Sequence, residues 1–151
     1  MPPTLRTPPG CFRCSARRCS VCPFINQSHK FTSSVTKESF PITTHLHCKS
    51  DWLIYLITCT TRNKQYVGKT TTTLYTRFTN TKSYIKKYNT DRRKSLPIAQ
   101  HFRQPHHTIQ NISLSAIEKI HCKRDDVILH RKSYWIVKLK TLSPSGINAD
   151  E

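Results

Sequence analysis

Trp52-Leu-Ile-Tyr-Leu-Ile-Thr58, the polar interval Thr60-Thr-Arg-Asn-Lys64 and then Gln65-Tyr-Val-Gly68 form the stretch on which the fold turns. Its first part is a continuous apolar and β-branched run, the pattern of a central strand buried on both faces. The interval is short, so the two runs read as an antiparallel hairpin. From Thr73 to Tyr88, the residues Leu74, Phe78, Ile85 and Tyr88 recur at helical spacing, with Arg77, Lys82, Lys86 and Lys87 on the flanks. That spacing predicts an amphipathic helix with a basic outer surface. Ser95 and Pro97 open a short helical segment reaching Phe102, since proline is tolerated in a first turn. Ile112, Leu114 and Ala116 alternate with polar residues and predict a third strand. Asp125 and Asp126 suit the first turn of a last helix, where carboxylates meet the positive end of the macrodipole. That helix carries Ile128, Trp135, Leu139 and Leu142 on one face and stops at Ser143-Pro-Ser-Gly146. The order is strand, strand, helix, short helix, strand, helix. It predicts an α+β domain over residues 51–148, with a central antiparallel sheet of about three strands flanked by helices.

Working outward, the chain changes character before residue 51. Residues 1–10 hold four prolines and no apolar periodicity, which reads as a disordered leader or the scar of a truncated longer protein. Residues 11–50 are rich in Cys, Ser, Thr and Lys with few large aliphatics, too few to build a core without a staple. A metal supplies one. The whole chain, at 151 residues, accommodates one compact domain and a small appendage. Lys and Arg total 25 against 8 Asp and Glu, a formal charge of +17. Such a surplus strains a compact fold unless an anionic partner neutralises it, and nucleic acid is the leading candidate. No apolar run approaches the ~20 residues needed to span a bilayer, and the N-terminus lacks the apolar core of a secretory signal. The expectation is a nuclear or cytoplasmic protein that is neither secreted nor membrane-bound.

Five of the seven cysteines lie before the apolar core begins. Cys11-x-x-Cys14-x4-Cys19-x-x-Cys22 is a strong metal signal by spacing alone, because Cys-x-x-Cys pairs wrap onto one tetrahedral ion. His45 and His47 could compete for the fourth place. Arg13, Arg17 and Arg18 lie among these thiols and would favour thiolates.

Ile54-Tyr55, the eleven-residue step to Tyr66-Val-Gly68, then Lys69-Thr70 and Arg77 on the next helix, resemble the GIY-YIG nuclease signature. Cys14, Cys19, Cys22 and Cys48, the run Leu53 to Cys59, and the tail Tyr134-Trp-Ile with Pro144-Ser-Gly-Ile-Asn148 together resemble the endonuclease part of Penelope-like retroelements. This likeness spans roughly residues 11 to 148. It implies a phosphodiesterase dependent on Mg²⁺ or Mn²⁺ and acting on DNA. In the family a tyrosine assisted by water activates the nucleophile, an arginine steadies the phosphate, and a glutamate on the last helix holds the ion. Carried over, the resemblance gives Tyr55, Tyr66, Gly68 and Arg77 the catalytic positions and Lys69 a phosphate-steering role. It also selects Cys14, Cys19, Cys22 and Cys48 as the structural zinc site, with Cys11 as an alternate.

The likeness breaks where the chemistry needs an anion. The glutamate position falls on Lys132, which lies four residues after Ile128 and three before Trp135 and so on the inward stripe. Asp125 and Asp126 are about 9 to 10 Å upstream at 1.5 Å per residue. Glu118 is the remaining substitute, and otherwise reads as a surface strand residue. An ammonium at that place repels a divalent cation, although it can contact a phosphate. A second zinc site of the family is degraded as well: Cys59, His101 and His107 remain, but Arg62 stands where its other cysteine belongs. Thr81 occupies a position where the family helix commonly carries histidine. These departures imply a DNA-binding nuclease fold that has lost cleavage. Charge and cysteines alone would equally suit a small zinc-containing RNA-binding or ribosomal-type protein, a reading against which the tyrosine spacing stands.

Overall fold

The computed structural model describes residues 8–87, 97–102 and 109–149. The expectations placed on most of the leader, on Tyr88, on Ser95 and on His107 lie outside these residues.

The predicted hairpin is the centre of the molecule. Strand β5 (Leu53–Cys59) pairs antiparallel with β6 (Gln65–Thr70) on one side and with β7 (Ile112–Lys119) on the other. β5 is buried nearly throughout, as its apolar run requires. Cross-strand partners share a face, so the register sorts the side chains. Tyr55 lies opposite Gly68 and Ala116, and Ile57 opposite Tyr66 and Leu114, while Ile54 lies opposite Lys69 and Glu118 on the other face. The register shifts between Ile54 and Tyr55, where β7 carries Ile117 as an extra residue.

Helix α1 (Leu74–Lys87) follows β6, with Leu74, Phe78 and Ile85 buried as the spacing predicts. Thr73 caps it, its hydroxyl accepting the Thr76 N–H at 3.1 Å. The short α2 (Pro97–His101) and the long α3 (Asp125–Leu139) complete the helices described. α3 ends earlier than the sequence suggests. Lys140 turns into the left-handed region at φ 55° and its N–H returns to Ile136 and Val137, so Leu142 lies beyond the helix. Ile136, fully buried, takes the inward place instead. No helix among the described residues is long and apolar enough to cross a membrane.

The cysteine-rich stretch packs into the same core. It contributes β1 (Gly10–Cys11) paired parallel with β4 (His45–Leu46), and β2 (Lys30–Thr32) paired antiparallel with β3 (Ser39–Pro41). Residues from this stretch cover the outer edge of β7: the Asn26 N–H donates to the Leu114 carbonyl at 2.9 Å, and the Ala116 N–H donates to Cys11 Sγ at 3.3 Å. Phe31 of β2 and Phe40 of β3 both pack edge-on against Trp135 of α3. The buried Ser33 hydroxyl donates to the Leu139 carbonyl at 2.8 Å, satisfying an otherwise orphaned helix end.

The C-terminal tail covers the outer edge of β6. The Ile147 N–H donates to the Gln65 carbonyl at 2.8 Å. Asn148 then acts as a strand residue through its side chain: Oδ1 accepts the Val67 N–H at 2.9 Å and Nδ2 donates to the Val67 carbonyl at 3.0 Å. The Thr141 hydroxyl donates to the same Oδ1 at 2.7 Å.

Candidate functional site

Tyr55, Tyr66, Gly68 and Arg77 come together on one face of the sheet. The Tyr55 ring lies across Gly68, so closely that a Cβ on Gly68 would overlap it. This is the physical need for glycine at that position, and positive φ plays no part. The Tyr66 ring centroid is 6.5 Å from that of Tyr55, the diagonal separation expected on one face of an antiparallel pair. Arg77, one turn into α1, donates from Nε to the Tyr55 hydroxyl at 3.3 Å. The phenol of Tyr55, with burial opposing it and Tyr66 and Tyr84 assisting, raises the guanidinium above its ordinary value and keeps it charged. Thr81 points back along α1, its hydroxyl donating to the Arg77 carbonyl at 3.1 Å. Two phenols and a fixed guanidinium on one surface can bind a phosphate and orient a water.

Lys69 follows Gly68 and leaves β6 on the side opposite the tyrosines, across from Ile54. Lys132 sits half-buried on α3, between the buried Ile128 and Ile136, on the side of the helix that faces the sheet. Glu118 is a partly exposed strand residue, as read, but its carboxylate is engaged. Arg131 grips it with two hydrogen bonds, Nε at 2.8 Å and Nη2 at 3.0 Å, and Trp135 Nε1 adds a third at 3.1 Å. Sequence reasoning missed this pair because its partners belong to different elements; the i, i+4 spacing of Arg131 and Trp135 was its only trace. Asp51 is paired with Lys119 at 2.8 Å and Asp126 with Arg124 at 2.8 Å. Among the described residues, no cluster of three or more carboxylates and histidines is arranged to hold an ion beside the tyrosines. Among the described residues, the carboxylates named above are each paired with a cation and Lys132 is itself one, a set that does not fit a Mg²⁺ or Mn²⁺ ion.

The N-terminal cysteines do form a metal-sized group. The Sγ atoms of Cys14, Cys19, Cys22 and Cys48 all lie within 4.8 Å of one another. Cys14 to Cys22 is 3.6 Å and Cys22 to Cys48 is 3.7 Å. Bonds of ~2.3 Å to one tetrahedral ion place sulfurs about 3.8 Å apart, so the four residues fit. Ser15 at φ 62° and Arg18 at φ 61° make the tight turns between the ligands. Burial pushes the Cys48 and Cys14 thiols up. Burial also opposes ionisation of Cys19, yet the N–H groups of Val21 and Cys22, with the neighbouring thiols, hold it down at about 7. Backbone donors, rather than the nearby arginines, make this thiolate accessible.

Cys11 stands apart, buried against β7, and burial pushes its thiol up. His45 bonds the Pro8 carbonyl through Nδ1 at 2.7 Å, and His47 Nδ1 accepts the Lys49 N–H at 3.1 Å; neither joins the thiols. Cys59 is buried at the end of β5, where its sulfur accepts the Arg62 N–H at 3.5 Å. His101 is buried at the end of α2. Among the described residues Cys59 and His101 form no metal-sized group.

This arrangement defines a small α+β domain with the fold of a GIY-YIG nuclease, joined to four cysteines close enough together to bind a metal ion. The chain is similar to the catalytic domain of homing endonuclease I-TevI, with a TM-score of 0.53 and 23% identity, covering 67% of this chain and 100% of that one. A mutant of the catalytic domain of intron endonuclease I-TevI gives a TM-score of 0.54 and 26% identity, covering 68% of this chain and 97% of the other. No family model and no curated protein sequence matches the chain.

Proposed function

We propose that this chain is a DNA-binding protein on a GIY-YIG nuclease fold, derived from a Penelope-like retroelement, that no longer hydrolyses phosphodiesters. The observation that carries the reading is the hydrogen bond from Arg77 to Tyr55 on the face that also presents Tyr66 and Gly68. That group is what a phosphate-binding nuclease surface needs, and an endonuclease is the named activity of the similar structures. The formal charge of +17 supplies the remaining attraction for a polyanion. A zinc ion held by Cys14, Cys19, Cys22 and Cys48 staples the N-terminal stretch onto the domain; thiolate sulfurs favour this soft, tetrahedral ion.

Loss of cleavage follows from charge. In the family a divalent ion stabilises the departing oxygen; here Lys132 occupies the glutamate position and Glu118 is held by Arg131. Plasmid nicking in Mg²⁺ or Mn²⁺ should stay at background for the natural chain, and Lys132→Glu should recover part of the activity. Metal-dependent nicking by the unmodified protein, abolished by Tyr66→Phe, would overturn the proposed inactivity. DNA affinity that does not change between low and moderate salt would overturn the DNA-binding part.

A further inference from the structure

The sheet has a second concave surface, on the side away from the tyrosines. Leu56 lies opposite Ser115, and Thr58 lies opposite both Ser113 and Gln65, so these side chains leave the sheet together. They floor a groove of about 480 Å³, within the ~300–1,000 Å³ range of binding pockets. Its floor is fixed by hydrogen bonds. Gln65 Nε2 donates to the Thr32 carbonyl at 2.9 Å and to the Thr58 hydroxyl at 3.2 Å, and Gln65 Oε1 accepts the Ser34 N–H at 3.0 Å. Such a floor loses little freedom when it binds.

The walls add charge of one sign. Lys30 on β2 and Lys37 in the β2–β3 turn border the groove and are exposed. Asn26 and Asn63 place amides on the rims, and no carboxylate is found among the described lining residues. Two ammonium groups over a bed of hydroxyls and amides suit an anion bearing many hydrogen-bond acceptors at intervals, as a phosphodiester backbone does. Phe31 is the only aromatic side chain among the described lining residues, and it is buried against Phe40 and Trp135. The groove therefore offers no ring on which a base can stack. A space of about 480 Å³ is too small to seat a duplex and leaves room for part of one strand.

We propose that this groove binds one nucleic-acid single strand along its sugar–phosphate backbone, irrespective of sequence, while the tyrosine face engages duplex. The inference rests on the DNA-binding reading above for the duplex and extends it to a second, separate strand. Lys30→Gln/Lys37→Gln is the test, since both side chains are exposed. Fluorescence anisotropy would be measured with a mixed-sequence DNA oligonucleotide, with the same sequence as RNA, and with a short duplex, each across a salt series. At about 0.7 per phosphate contact on single strands, the double variant should lower the log–log salt slope by about 1.4 and weaken single-strand binding about tenfold or more near 0.1 M salt. Duplex binding should change by less than about threefold, and duplex should not displace the single strand. The DNA and RNA arms tell which strand the hydroxyls favour. Unchanged single-strand affinity, or equal loss on duplex, overturns the groove. Single-strand binding without duplex binding would instead overturn the duplex reading and leave the groove standing, and binding of neither removes both.

Discussion

Replacing Asn148 by alanine should destabilise the protein far more than its place near the C-terminus suggests. The side chain is 2% exposed and satisfies three groups at once: the Val67 N–H, the Val67 carbonyl and the Thr141 hydroxyl. Alanine leaves all three in a buried setting without that partner. At about 1 to 3 kcal/mol for each orphaned group, taken at the low end because water can enter a strand edge, the loss comes to about 3 kcal/mol. That is a large share of the ~5–15 kcal/mol that holds a typical domain together. At about 2–4 °C per kcal/mol for a chain of this size, the midpoint should fall by about 6–12 °C. Urea unfolding followed by tryptophan fluorescence would read the change as a shift in midpoint with an unaltered slope. Asn148→Asp keeps the two acceptor bonds but sets an anion against the Val67 carbonyl, so it should rescue little. A loss below about 1 kcal/mol for the alanine variant would refute the claim that this amide closes the edge of β6.

Gly68→Ala should drive a methyl group into the Tyr55 ring and cost about 1–3 kcal/mol, as overpacking does; a thermal midpoint within 1 °C of the natural chain would contradict this. Cys19→Ser/Cys22→Ser should abolish stoichiometric metal in the purified protein, whereas Cys11→Ser, outside the thiol group, should leave it intact; elemental analysis of both decides. The hydrogen bond from Lys119 holds the Asp51 carboxyl below the usual carboxylate range. Its contribution is therefore present above the unfolded value near pH 4 and lost as pH falls through the lower folded value. Because Asp51 is exposed to solvent, Asp51→Asn should lower stability at pH 7 only slightly and flatten the acid limb of the stability curve; an unchanged acid limb would remove this pair from the account.

The sheet and helices were legible because their signals are long. The run Leu53 to Cys59 and the stripe Leu74, Phe78, Ile85 each repeat over several turns or pleats, and both elements formed as read. β1 to β4 were not legible, since strands of two or three residues show no periodicity. Phe31 opposite Phe40 makes sense only once Trp135 arrives from α3, more than ninety residues later in the chain. The end of α3 was misplaced because Lys140 takes the left-handed cap that glycine normally announces. At the site, the tyrosines, Gly68 and Arg77 were readable through their joint spacing and the family it resembles. Spacing alone pointed to Cys11, Cys14, Cys19 and Cys22, whereas the thiol group takes Cys48, which only the resemblance supplied, in place of Cys11. The engagement of Glu118 was not readable, because an ion pair between a strand and a helix leaves no local pattern.

Cys48 stands at a junction. Its sulfur belongs to the thiol group, while its carbonyl accepts the Tyr75 N–H at 2.7 Å and the Ser50 carbonyl accepts the Leu74 N–H at 2.8 Å, at the entrance to the helix that carries Arg77. The cysteine segment thus supplies partners for two N–H groups that the first turn of a helix leaves open. Whatever binds at the thiols and whatever binds at Arg77 draw on the order of the same few residues, and thermodynamic linkage makes such coupling reciprocal. A ligand on Arg77 should raise the affinity for the metal, read at equilibrium against a competing chelator, by the same free energy with which the metal tightens that ligand.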